Sequence, residues 1–203
     1  MFATRSPQFY RERMSDPTRI LIGCSGSVAA IKLEELVEQL LSAVSNSELR
    51  VIITEHARHF TPLKKSVEKV IYYTDEDEWK AWNKMGDNVL HIELGKWADV
   101  FVIAPLSANS LAKMANGLCD NLLTCTVRAW DMRKPLLFAP AMNTRMLQHP
   151  ITRPQINSLV SFGYIEIPTV VKMLACGEKG DGAMASVNTI VDRVVASLKT
   201  SNT

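Results

Sequence analysis

Six short apolar runs punctuate the chain, and most of the segments between them change to helical spacing. Arg19–Cys24, Leu49–Thr54, Val70–Tyr73, Asp99–Ala104, Pro135–Ala139 and Tyr164–Ile167 read as strands, because continuous aliphatic and β-branched runs of this length suit strands buried on both faces. Val28–Val44 instead sets Leu33, Leu36, Val37, Leu40 and Leu41 on one helical face. Ser107–Ala115, Asn121–Trp130 and Thr152–Phe162 read as further helices, and Val187–Leu198 as a last amphipathic one. The alternation predicts an α/β protein: a parallel sheet covered on both faces, a three-layer fold of flavodoxin-like or Rossmann-like type. Residues 19–198 form one domain in this reading, residues 1–18 a disordered polar tail, and residues 199–203 a short C-terminal tail.

Open parallel sheets bind ligands beyond the carboxyl ends of their strands, which directs attention to four segments. The first strand ends in Gly23-Cys24-Ser25-Gly26-Ser27-Val28. Small residues there let the backbone approach a ligand, a following helix start offers amide donors to an anion, and Ser25 and Ser27 add hydroxyls. Read without a ligand, Ser25 or Ser27 is simply a helix cap. The chain lacks a Gly-x-Gly-x-x-Gly fingerprint and a Walker lysine, and the second strand ends in Thr54 where a dinucleotide site carries an acidic residue. A ligand with one phosphate suits this pattern, and FMN is the candidate. The fourth and fifth strands both end in Ala-Pro and then deliver Ser107-Ala108-Asn109-Ser110 and Ala141-Met142-Asn143. Non-covalent FMN is therefore expected with its phosphate at Gly26, Ser27 and Val28, and with Thr54, Ser107, Ala108, Asn109, Ser110 and Ala141 lining the remainder.

Composition narrows the choice without directing it. A chain of 203 residues, 47% hydrophobic and 22% charged, can bury one substantial core. A formal net charge of +2, from 23 basic and 21 acidic residues, gives no electrostatic reason to expect nucleic acid or a membrane surface. No apolar run is long enough to span a bilayer, and the first residues lack the apolar stretch of a secretory signal. Cys24, Cys119, Cys125 and Cys176 make no Cys-x-x-Cys pair and no zinc spacing. No metal site is expected, and the cysteines read as reduced thiols of a cytoplasmic protein. Cys24 is assigned to core packing, and Cys119 and Cys125 to a helix. Cys176 lies in the Gly-rich segment Lys172–Met184, which reads as a mobile loop.

Several runs, taken in order, carry a family likeness. Ser25-Gly26-Ser27-Val28-Ala29-Ala30, Leu106-Ser107-Ala108-Asn109, Pro140-Ala141-Met142-Asn143 followed by Met146, Val89-Leu90-His91-Ile92-Glu93-Leu94 and Leu174-Ala175-Cys176-Gly177 together resemble the homo-oligomeric flavin-containing cysteine decarboxylases. Further matches are Tyr73–Trp79, Trp97-Ala98-Asp99 and Gly117–Cys125, so the likeness runs from about Arg19 to Val195. It departs at Leu147, where the family usually has Trp, and at Gly95-Lys96, where a basic pair is common.

The resemblance implies conversion of 4'-phosphopantothenoylcysteine to 4'-phosphopantetheine in coenzyme A biosynthesis. The substrate thiol is transiently oxidised by FMN to a thioaldehyde, whose thiocarbonyl, β to the carboxylate, accepts the electrons as CO₂ leaves; the resulting ene-thiolate is then re-reduced. It assigns His91 as the acid–base residue, Asn143 as the donor to the substrate carboxylate, Met146 to packing on the substrate chain and Cys176 as the final proton donor. It also implies a homotrimer with active sites at the subunit interfaces, where His91 reaches a neighbour's flavin. Without the resemblance, His91 is an ordinary histidine in an alternating strand or turn, Asn143 a helix cap, Met146 a core methionine and Cys176 a packing residue. Two other functions fit such a fold: a flavin prenyltransferase, which the His91 and Pro-Ala-Met-Asn pattern disfavours, and a phosphatase-inhibiting regulator, whose acidic extension Lys199–Thr203 does not supply.

Overall fold

The computed structural model describes residues 16–61, 70–173, 177 and 179–200. In chain order the elements are β1 (Thr18–Cys24), α1 (Leu33–Ala43), β2 (Ser47–Ile53), α2 (Glu55–Arg58), β3 (Val70–Tyr73), α3 (Asp75–Ala81), α4 (Leu90–Trp97), β4 (Val100–Leu106), α5 (Ala108–Ala115) and α6 (Leu122–Arg128). Then follow β5 (Leu136–Pro140), α7 (Thr144–Leu147), α8 (Thr152–Ser161), β6 (Ile165–Glu166), β7 (Val170–Met173), β8 (Lys179–Ala183) and α9 (Val187–Thr200). A 3-10 turn, Val28–Lys32, leads directly into α1.

Six strands form a parallel sheet in the order β3-β2-β1-β4-β5-β6. The chain builds outward from β1 in one direction, then returns to β4 and builds in the other, so the order reverses between β1 and β4. Side chains alternate across the sheet with the strand period of two. Ile20, Ile22 and Cys24 of β1 and Val100, Val102 and Ala104 of β4 face one core, which α1 and α9 close. Leu21, Phe101, Ile103 and Phe138 face the other, closed by α4, α5, α6 and α8. All seven residues of β4 are buried, as a central parallel strand requires. Cys24 belongs to the first core, and burial pushes its thiol up to about 12, so it stays a neutral packing group.

The strands and helices expected from the sequence agree to within a few residues, with the corrections that follow; α2 and α3 were not foreseen, nor α7 beyond its Asn143 cap. Val28–Val44 is not one α-helix, because its first turn is 3-10. Only the second Ala-Pro step ends its strand: Pro140 is the last residue of β5, whereas Pro105 is the penultimate residue of β4, which continues to Leu106. Leu90–Leu94 is helical, in α4, rather than an alternating strand or turn. The Gly-rich segment is not a plain loop, since β7 and β8 pair as an antiparallel arm. Cys119 precedes α6 and is exposed, whereas Cys125 is on the helix. Among the described residues no helix is long and apolar enough to cross a membrane.

Candidate active site

The carboxyl ends of β1 and β4 are tied together by Ser25, which is fully buried. Its amide and its hydroxyl both donate to the Pro105 carbonyl, at 3.1 and 2.9 Å, and its hydroxyl oxygen accepts the Ser107 amide at 2.7 Å. Ser25 is therefore part of the frame; its proton is spent on Pro105 rather than offered to a ligand. Ser27 is the candidate hydroxyl. It caps the 3-10 turn by accepting from the Ala29 amide, and the first turn carries no acidic residue. An anion there meets a helix start without an opposing carboxylate in that turn. Gly26 is required by close packing: a Cβ would lie 2.5 Å from the Cβ of His56.

Thr54 follows β2, and its amide donates to the Cys24 carbonyl at 3.1 Å. Its hydroxyl is buried, with no hydrogen-bond partner among the described residues. Such an orphan costs roughly 1–3 kcal/mol when nothing fills it, so it marks a place where a ligand or water belongs. Ser107 and Ser110 are also buried; Ser107 caps α5 by accepting the Ser110 amide, and the two hydroxyls are 3.3 Å apart. Ala108 is partly exposed and Asn109 exposed on the same first turn. These neutral donors at the strand ends fit a flavin mononucleotide, whose single phosphate would rest on Ser27 and the amides of the following turn.

A cleft of about 740 Å³ opens beside this rim. Ser27, Val28, Ala141 and Asn143 line it, whereas Gly26, Thr54, Ser107–Ser110, Met146 and His91 do not. The β7–β8 arm, including Met173 and Gly182, also lines it; the sequence marked this segment as a mobile loop but not as paired strands. Its anchorage is specific. The Met142 amide donates to the Gly182 carbonyl at 3.0 Å, Thr144 Oγ1 donates to the Asp181 carbonyl at 2.6 Å, and Thr169 Oγ1 donates to the Asp181 carboxylate at 2.9 Å. Gly182 has φ +116°, and a Cβ on it would stand 2.4 Å from the Met142 carbonyl oxygen. The Gly182→Ala variant should thus peel the arm from Met142 at a cost of roughly 1–3 kcal/mol. Hydrogen exchange of the Met142 amide should accelerate about ten- to hundredfold, and unchanged protection would contradict this account.

Asn143 caps α7, its Oδ1 accepting the Arg145 amide at 2.9 Å, and also lines the cleft. Met146 lies on α7 with 49% of its surface exposed, and the structure does not bring it into the cleft. Cys176 lies outside the described residues.

His91 occupies the first turn of α4, in the helical layer opposite α1 and α9. Its Nδ1 is 2.5 Å from Glu78 Oε1, and Cys125 Sγ lies within 4.8 Å of a ring nitrogen of His91 and a carboxylate oxygen of Glu78. A nitrogen, an oxygen and a sulfur could in principle hold a divalent cation. Two ligands on one tetrahedral ion with bonds of ~2 Å, however, stand roughly 3.3 Å apart. The closer approach identifies a hydrogen-bonded pair. Burial, and then the nearby Glu78 carboxylate, push the Cys125 thiol up to about 11, and it donates to the Cys119 carbonyl at 3.3 Å.

Residues 9–199 match the Flavoprotein family. The chain belongs to the Flavoprotein family. Among Flavoprotein relatives it is 54% identical over 180 residues to the phosphopantothenoylcysteine decarboxylase of Mus musculus, covering 89% of this chain and 87% of that one. Among solved structures it is similar to a PPC decarboxylase carrying a cysteine-to-serine mutation, complexed with pantothenoylaminoethenethiol. The TM-score is 0.84 at 51% identity, over 89% of this chain and 97% of that chain. It is likewise similar to the FMN binding protein AtHal3, with a TM-score of 0.81 at 51% identity, over 90% and 97% of the two chains. Of the two departures from the Flavoprotein decarboxylase pattern, Leu147 packs against the second core. Gly95 is buried in α4, and Lys134 Nζ caps the end of that helix at the Gly95, Lys96 and Ala98 carbonyls.

Proposed function

We propose that this chain is an FMN-dependent decarboxylase that converts 4'-phosphopantothenoylcysteine to 4'-phosphopantetheine in coenzyme A biosynthesis. The observation that carries the reading is one cleft where Ser27 and Val28, the phosphate end, meet Asn143, the carboxylate end, in a chain of the Flavoprotein family. FMN, when bound, supplies the electron sink that oxidises the substrate thiol and later returns the electrons. The protein's own groups do the remainder. His91 takes the thiol proton. Asn143 orients the carboxylate through a neutral amide, which holds the charge without over-stabilising it against CO₂ loss. Cys176 returns a proton at the end. The ene-thiol bound to the cysteine-mutated relative supports that last assignment.

His91 and the cleft lie on opposite helical layers of one subunit. A homotrimer in which His91 faces the flavin of a neighbour resolves this separation, since closed cyclic symmetry repeats a shared site at every interface. The cytoplasm is the proposed location, where its thiols stay reduced. The test is an absorption spectrum of purified protein, a CO₂-release assay on the cysteine substrate, and light scattering. A yellow, active trimer is expected. A protein that takes up no FMN or releases no CO₂ overturns the enzyme reading, and an active monomer overturns the shared site.

Asn143→Asp isolates the amide. Aspartate is an equally good helix cap, so α7 is preserved, but a carboxylate now faces the substrate's own. Losing a hydrogen bond to a charged group costs roughly 1.5–3 kcal/mol, so KM should rise about ten- to hundredfold. An unchanged KM would leave Asn143 a cap alone.

A further inference from the structure

The acidic run Asp75-Glu76-Asp77-Glu78 opens α3, and each member has a separate partner. Asp75 Oδ1 accepts the Leu122 amide at the start of α6, at 2.8 Å. Asp77 completes the Thr74 capping box, accepting the Thr74 amide at 2.7 Å. Glu76 pairs with Lys80 at 3.2 Å on the surface. Glu78, its side chain 14% exposed, meets the 26% exposed His91.

We propose that Glu78 is the positioning residue of His91: it holds the imidazole as the Nδ1–H tautomer and presents Nε2 to the reacting thiol. This rests on the reading of His91 as the acid–base residue. An ionised carboxylate only accepts hydrogen bonds, so the 2.5 Å contact places the ring proton on Nδ1 and leaves the Nε2 lone pair as the proton acceptor. The partner on one ring nitrogen decides the tautomer and orientation at the other. Both helices are held from outside the pair: Asp75 ties α3 to α6, and Lys134 fixes the far end of α4. Cys125 faces the pair from α6, with Cys119 and Asp120 just before that helix. Asp120 is engaged by Lys113 at 2.7 Å. Cys125 remains a neutral thiol turned to the Cys119 carbonyl, so Glu78 is the acceptor for His91.

Nitrogen NMR of the histidine-labelled, FMN-loaded protein tests the pair without any turnover. Wild-type His91 should show the Nδ1–H tautomer, and an Nε2–H ring would overturn the proposal. In Glu78→Ala the tautomer should mix, and kcat should fall about ten- to hundredfold, the range over which outer partners of metal-bound histidines act, while KM and FMN binding stay unchanged. Glu78→Gln keeps an oxygen acceptor, so it should restore the tautomer and part of kcat. Wild-type kcat in Glu78→Ala, or a loss confined to KM, would overturn the proposal. Should the wild-type protein release no CO₂, the function has failed instead, and the NMR still judges the Glu78–His91 contact.

Discussion

His91→Asn should release CO₂ roughly 10²–10⁴-fold more slowly than the wild-type protein while binding FMN as well, the range over which positioned acid–base groups act. Asparagine keeps a polar side chain of similar reach and an N–H that can face Glu78, but it cannot take a proton near neutral pH. The fold should survive the change. His91 is only partly buried on α4, whose packing rests on Leu94 and Gly95 and whose end is capped by Lys134. FMN binding is expected to persist because the residues that would hold the phosphate, Ser27 and Val28, lie on the other side of the sheet. A titration of the flavin spectrum and a CO₂ assay on the same sample separate the two effects. CO₂ release within a few-fold of wild type would remove His91 from the reaction, whatever the assembly.

The strands were legible because their apolar runs are continuous, and the rim of the cleft was legible because strand ends locate it. Ser27, Val28, Ala141 and Asn143 are residues that follow β1 and β5 directly. What escaped was set by packing or by short ambiguous patterns. Leu90-His91-Ile92-Glu93-Leu94 alternates with the strand period for five residues, and only the spacing of Leu90, Leu94 and Trp97 favours a helix. Helix α3 buries none of its residues, so no hydrophobic face announces it; its one signal was Thr74 followed by Asp77, a capping box ahead of an acidic first turn. The β7–β8 arm was hidden because β7 is exposed throughout and Gly182 reads as a turn, although its use is close approach to Met142. The pairing of Glu78 with His91 joins residues from two helices that were not foreseen, so no spacing rule could reach it.

The Cys176→Ser variant should change the product rather than the release of CO₂. Thiol oxidation and carbon–carbon cleavage come before the last protonation, so a protein lacking only the final donor completes both. The ene-thiol left by decarboxylation must then gain a proton as the electrons return. A thiol, with an ordinary pKa of about 8.5, is mostly protonated at neutral pH yet acidic enough to give its proton up, and a serine hydroxyl is far weaker as an acid. The expected outcome is CO₂ release together with a product carrying two hydrogens fewer than 4'-phosphopantetheine, and a flavin spectrum that stays bleached after one turnover. The strands on either side of Cys176 suit this assignment: Met173 and Lys179 pair where β7 ends and β8 begins, and Met173 lines the cleft. Serine differs from cysteine by one atom, so the anchorage of the arm through Asp181 and Gly182 should be untouched. Mass spectrometry of the product decides the matter, because formation of normal 4'-phosphopantetheine at the wild-type rate would show that Cys176 is not the donor.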